Sequence, residues 1–254
     1  MSSTDLRQRT ALVTGASRGF GRAIACELSA RGARVIGVAR HRDPLEQLHD
    51  ELGERFLPVV GDASNAELAR SLIEEHRPEI LVLNAGAVPV PGSLREHTWK
   101  SFSRNWEVDT QHVFHWTREA LRLPLAPGSV VIAMSSGAAL HGSPLSGGYA
   151  GAKATIRFIS AYAAEESRRD DLGIRFTALL PQLTPATDVG AAGAAAYAAY
   201  EGLSIDAFVE RFQPLLSAQQ VGMAVVELSR DAALGGEHRL AYALSGAGCH
   251  EIRS

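Results

Sequence analysis

Tyr149 and Lys153 stand four residues apart in the stretch "SGGYAGAKA", at the start of a helical pattern. That spacing puts a phenol and an ammonium on one helix face. A cation beside a phenol favours the phenolate, so the tyrosine can give and take a proton near neutral pH. Ser135 and Ser136 lie upstream, at the end of an apolar run. A hydroxyl there can hydrogen-bond a carbonyl or alcohol oxygen. A bare Tyr-x-x-x-Lys pair is more often structural than catalytic, so its meaning depends on the elements that position it.

Those elements begin at "TALVTGASRGFGRAIA", residues 10 to 25. Ala11, Leu12 and Val13 have strand character, Gly15, Gly19 and Gly21 interrupt it, and Ile24, Ala25 and Leu28 resume at helical spacing. Strand, glycine turn and helix make a phosphate cradle: the backbone can approach the anion, and the helix N-terminus attracts it. Further strands are expected at 34–39, 56–60, 80–84, 129–134, 175–180 and about 240–244. Helical patterns fall at 19–31, 43–53, 65–76, 95–122, 149–169 and 205–230. Such alternation predicts an α/β fold, a doubly wound parallel sheet with helices on both faces. The exception is 181–204, which is alanine-rich with few bulky anchors. It is expected to pack loosely as a substrate lid within one domain spanning 1–254, with a plain surface helix pair as the alternative.

The 254 residues carry a net charge of −3, so no basic surface argues for nucleic acid and no polybasic segment for anionic lipid. The first residues, MSSTDLRQRT, lack a signal-peptide core, and no apolar run reaches membrane-spanning length, which leads to the expectation of a cytoplasmic location without membrane partners. Cys26 and Cys249 suggest neither a disulfide framework nor a metal site. His112 and His115 lack a third ligand, so no metal is expected.

Taken together, these residues resemble the short-chain dehydrogenase/reductase family over nearly the full chain. Its Thr-Gly-x-x-x-Gly-x-Gly turn is matched by Thr14, Gly15, Gly19 and Gly21, with Ser17, Arg18 and Phe20 between them. Its Asn-Ala-Gly after the fourth strand is matched by Asn84, Ala85 and Gly86, and its adenine-contacting Asp by Asp62, next to Ala63. Its catalytic Ser, Tyr and Lys fall on Ser136, Tyr149 and Lys153, with Ser136 preferred over Ser135 for its separation from the tyrosine. The resemblance implies a seven-stranded sheet, a nicotinamide cofactor and hydride transfer between it and a carbonyl or alcohol. It further implies that Tyr149 moves the proton, Ser136 holds the substrate oxygen and Lys153 binds the nicotinamide ribose. A homo-oligomer, dimer or tetramer, built on the two long helices is expected.

The end of the second strand reads "VIGVARHR". Ala39 stands where an acid would bond a ribose 2′-hydroxyl, followed by Arg40 and Arg42, and Arg18 adds another guanidinium. Arginine forks onto phosphate oxygens, so NADP(H) is expected over NAD(H). Three departures from the family stand out. Asp109 occupies the position where a helical Asn usually supports a proton relay behind the lysine. The stripe Phe102, Trp106, Asp109, Val113, Trp116 puts that carboxylate on an apolar face, which predicts that it faces Lys153; Asn105 is one residue off the expected slot. Pro181-Gln182 replaces the usual Pro-Gly, leaving Pro181, Leu183 and Thr184, with Thr187 as the alternative, to contact the carboxamide. "LSGAG", residues 244 to 248, replaces an acidic-glycine ending. His141 borders the substrate side. The expected activity is reduction of a ketone or oxidation of a secondary alcohol. The alternatives are a cofactor-binding protein with little turnover, or a non-redox isomerase or lyase using the same centre.

Overall fold

The computed structural model describes residues 6–230 and 240–252. Its sheet runs in the order β3-β2-β1-β4-β5-β6-β7-β8, built from Thr10–Thr14, Arg34–Ala39, Phe56–Val60, Ile80–Leu83, Val130–Met134, Arg175–Pro181, Ala241–Ser245 and Gly248–Glu251 in chain order. The first seven strands are parallel, and β7 pairs antiparallel with β8. β1, β4 and β5 are buried nearly throughout, as expected of apolar strands covered on both faces. The order reverses between β1 and β4, which opens a crevice at their carboxyl ends, the usual ligand position in open α/β sheets.

The sheet has eight strands rather than the seven expected. Gly246 and Ala247 turn the chain so that Ser245 faces Gly248, and "GCHE" adds an exposed edge strand. Its short, largely polar sequence carries no strand signal of its own.

Helices α1 (Gly19–Ala30), α2 (Arg42–Leu52) and α3 (Ala66–His76) fall where the periodicity places them. The expected helix over 95–122 is divided. Thr98 caps α4 (Trp99–Asn105), a π-helical turn covers Trp106–Thr110, and α5 (Gln111–Arg122) follows. The extra residue in that turn changes which side chains face inward. Trp106 is 39 % exposed instead of joining the buried stripe, whereas Asn105 and Asp109 are each 1 % exposed. Past a short helix, α6 (Ala138–His141), comes α7 (Tyr149–Arg169), the longest of the described helices.

Segment 181–204 is not a loose loop. Thr187 caps α8 (Asp188–Glu201), and Ser204 caps α9 (Ile205–Glu210). Ala194 and Ala198, one turn apart, pack on Phe208, with Leu183, Tyr197 and Phe212 around them. Alanines at that spacing bury a face without the bulky residues that a periodicity reading looks for. The expected helix over 205–230 is interrupted before α10 (Ala218–Arg230), where Pro214 cannot supply a backbone N–H.

Candidate functional site

One cavity of about 1170 Å³ lies at the reversal of strand order. Gly15, Ser17, Arg18, Gly19 and Phe20 line it from the turn after β1, and Arg40 from the end of β2. Asp62 and Ala63 follow β3, Asn84, Ala85 and Gly86 follow β4, and Ser136, Tyr149 and Lys153 follow β5. Asp109, Pro181, Leu183 and Thr184 complete the predicted set within it, joined by His141 and Thr187.

Thr14 and Gly21 are not among the lining residues; they build the wall behind it. The buried Thr14 hydroxyl accepts from the Asn84 and Ala85 N–H groups at 2.9 and 3.1 Å and donates to the Val82 carbonyl. A Cβ at Gly21 would sit 2.0 Å from the Gly15 carbonyl oxygen, so only glycine allows the turn to close on α1. The Asn84 amide donates to the Thr14 and Gly15 carbonyls, tying the β4 end to the glycine turn. At the start of α1, Arg18 makes no side-chain capping bond, and the first turn holds no acidic residue. Those N–H groups suit a pyrophosphate. The Asp62 carboxyl is held below its ordinary pKa by the Ser64 backbone N–H and then by the Ser64 hydroxyl.

Lys153 is buried, and its ammonium donates to the Met134 carbonyl at 3.1 Å and pairs with Asp109 at 3.1 Å. Burial alone pulls the lysine pKa down, but the Asp109 carboxylate and then Tyr149 outweigh it and raise it above the ordinary value. The ammonium lies 5.5 Å from the Tyr149 ring centre. Two of its three N–H donors are used, which leaves one for a ligand hydroxyl. Ser135 is committed elsewhere, its hydroxyl donating to the Lys153 carbonyl at 2.7 Å. Among the described residues the Ser136 hydroxyl accepts only from the Ala138 N–H, at 3.2 Å. Two further side chains join the site in roles that the sequence does not assign them. Asn105 donates to the Ala87 carbonyl at 2.9 Å, on the same face as Asp109 four residues on. His112 is buried with Nε2 3.0 Å from the Thr14 hydroxyl. Burial, and then the Lys153 charge, depress its pKa to about 3.

Near the rim, Arg18 is paired with Asp188 at the start of α8 at 2.5 Å. Thr184 turns its hydroxyl onto the Leu216 carbonyl at 2.6 Å, and the Thr187 hydroxyl accepts from the Gly190 N–H. Among the described residues no cluster of histidine, cysteine or acidic groups could hold a metal, and no helix is long and apolar enough to cross a membrane.

A doubly wound sheet with a glycine cradle at its strand reversal and a Tyr–Lys pair across the cavity defines a dinucleotide-binding oxidoreductase. The model of the short chain dehydrogenase family matches residues 9–197, and the chain belongs to that family of NAD(P)-dependent oxidoreductases. It is 34 % identical over 179 residues, 69 % of each chain, to a short-chain type dehydrogenase/reductase, y4eK, of Sinorhizobium fredii. It is 33 % identical over 167 residues, 62 % of this chain and 69 % of the relative, to an NADPH-dependent pterin aldehyde reductase of Arabidopsis thaliana. Among solved structures, a putative 2-deoxy-d-gluconate 3-dehydrogenase from Agrobacterium tumefaciens with bound NADP aligns with a TM-score of 0.81. That alignment is 25 % identical and covers 97 % of this chain and 98 % of the other.

Proposed function

We propose that this chain is an NADP(H)-dependent carbonyl reductase, exchanging a hydride with a ketone or secondary alcohol. The observation that carries the reading is the meeting of the glycine cradle, Asp62 and the Tyr149–Lys153 pair in one cavity. A nicotinamide bound there supplies the hydride. Tyr149 gives its proton to the carbonyl oxygen as the alcohol forms, and Ser136 hydrogen-bonds that oxygen. Lys153 carries the charge that stabilises the phenolate left behind and offers its remaining N–H to a ribose hydroxyl. Segment 181–204, with α8 at its centre, walls the substrate side and acts as its lid, with Tyr197 hydrogen-bonded to the Ser143 hydroxyl at 2.5 Å.

The preference for NADP(H) rests on Arg40 at the end of β2, where no carboxylate stands to repel a 2′-phosphate. The NADP-bound neighbour and the NADPH-dependent relative agree with it. Calorimetric titration tests this directly. NADPH is expected to bind at least tenfold more tightly than NADH, and Arg40→Ala to remove most of that difference, the weight of a hydrogen bond to a charged group. Equal affinity, or tighter NADH binding, overturns the assignment of Arg40.

A further inference from the structure

Asp109 has a consequence beyond placing Lys153. Its carboxylate is 1 % exposed and sits between the chain after β4 and the lysine. It accepts from the Ala87 N–H at 2.7 Å and pairs with Lys153 at 3.1 Å, and the Asn105 amide lies 3.4 Å from both of its oxygens. The site is shaped around it: a Cβ on Gly86 would lie 3.0–3.2 Å from the carboxyl group. These donors are the partners that a buried carboxylate requires.

The charge bears on Tyr149. With an uncharged side chain at 109, the phenol would face one uncompensated ammonium. With Asp109 it faces an ammonium whose charge the adjacent carboxylate partly offsets. We infer that Asp109 is a positioning residue that offsets the Lys153 field at the Tyr149 hydroxyl and holds Tyr149 protonated to higher pH. This builds on the reading of Tyr149 as proton donor. The overall equilibrium of the reaction is untouched. What Asp109 sets is the pH range in which each direction runs, and a protonated phenol through the neutral range serves carbonyl reduction.

On the α4–α5 side, His112 is held neutral by burial and Asn105 has no charge. Lys153 stays charged, its pKa being raised. After β5 come only the hydroxyls of Ser135 and Ser136. His141 on α6, Tyr197 on α8 and His250 on β8 line the same cavity. None of them makes a described bond to Tyr149 or Lys153. Arg18 and Asp188 neutralise each other at the rim.

The test needs no turnover. The phenolate absorbance of cofactor-free protein is titrated against pH, with Tyr149→Phe as the blank that isolates Tyr149. In Asp109→Asn the Tyr149 phenolate should appear about one to two pH units lower than in the wild type, from a unit charge removed at short range in a partly screened site. Asp109→Ser, which also removes the charge, should shift the same way, so either variant that folds decides. An unchanged or upward-shifted titration overturns the inference. Reduction of a ketone is then followed across pH. The alkaline fall in kcat/KM should move down with the phenolate in the variants. A shifted phenolate without turnover in any of the proteins would leave the role of Asp109 standing and sink the carbonyl-reductase reading instead.

Discussion

Two ion pairs at opposite ends of one cavity show how far burial changes the meaning of the same contact. The Lys153 and Asp109 side chains are 7 % and 1 % exposed, and each has a backbone partner as well. The Arg18 and Asp188 side chains are 65 % and 73 % exposed and join the glycine turn to α8 across solvent. In the first pair the charges have lost their water and depend on each other. In the second, water screens the attraction, and either partner can be exchanged for another ion at little cost. A fixed pair suits the place where a proton moves. An exchangeable one suits the rim of the cavity.

The largest effect expected from this contrast follows removal of the buried carboxylate. Asp109→Ala leaves an uncompensated ammonium and should lower unfolding stability by about 3–5 kcal/mol in denaturant titration. A cost below about 1 kcal/mol would mean that water reaches the pair. The buried cluster also predicts acid sensitivity. His112 has a folded pKa of about 3, against about 6.5 for an unfolded histidine. Between those values the unfolded chain takes up a proton that the folded one refuses. Its contribution is therefore complete above about pH 6.5 and declines as pH falls toward 3, by roughly 2–3 kcal/mol at about pH 4.5. His112→Asn should flatten that part of the stability profile, and an unchanged slope would show that the ring is not held neutral. The smallest effect belongs to the rim. Asp188→Ala should cost no more than about 1 kcal/mol of stability. By freeing Arg18 for a 2′-phosphate, it should strengthen NADPH binding several-fold with NADH binding unchanged. Weaker NADPH binding in the variant would show that Asp188 supports the cofactor site rather than competing with it.

The cofactor half of the molecule was legible because its signals are local. Gly15, Gly19 and Gly21 meet a steric demand of one turn, and the strands β1 to β6 are short apolar runs between helical periods. The candidate centre was legible to the extent that four-residue spacing on a helix fixes a shared face, as for Tyr149 and Lys153. What escaped depends on geometry that no spacing carries. The π-helical turn over Trp106–Thr110 turns Trp106 outward, while Asp109, Val113 and Trp116 keep the buried stripe expected of a regular helix. The α8 helix buries alanines, which look alike whether exposed or packed, and only Phe208 from the next helix completes the cluster. The β8 strand exists because a two-residue turn lets it pair, not because its residues favour extension. The Arg18–Asp188 contact joins residues 170 apart. From sequence alone Arg18 is expected to meet a phosphate, not a carboxylate.

The most direct test of the central claim, that Tyr149 gives the proton in hydride transfer to a carbonyl, is the loss of NADPH absorbance with a panel of ketones in wild type and Tyr149→Phe. The account predicts ketone-dependent oxidation in the wild type and a loss of about 10²–10⁴-fold in the variant, the usual weight of a positioned acid, with NADPH affinity retained. Equal rates in the two proteins, or no oxidation with any carbonyl despite tight NADPH binding, would contradict it.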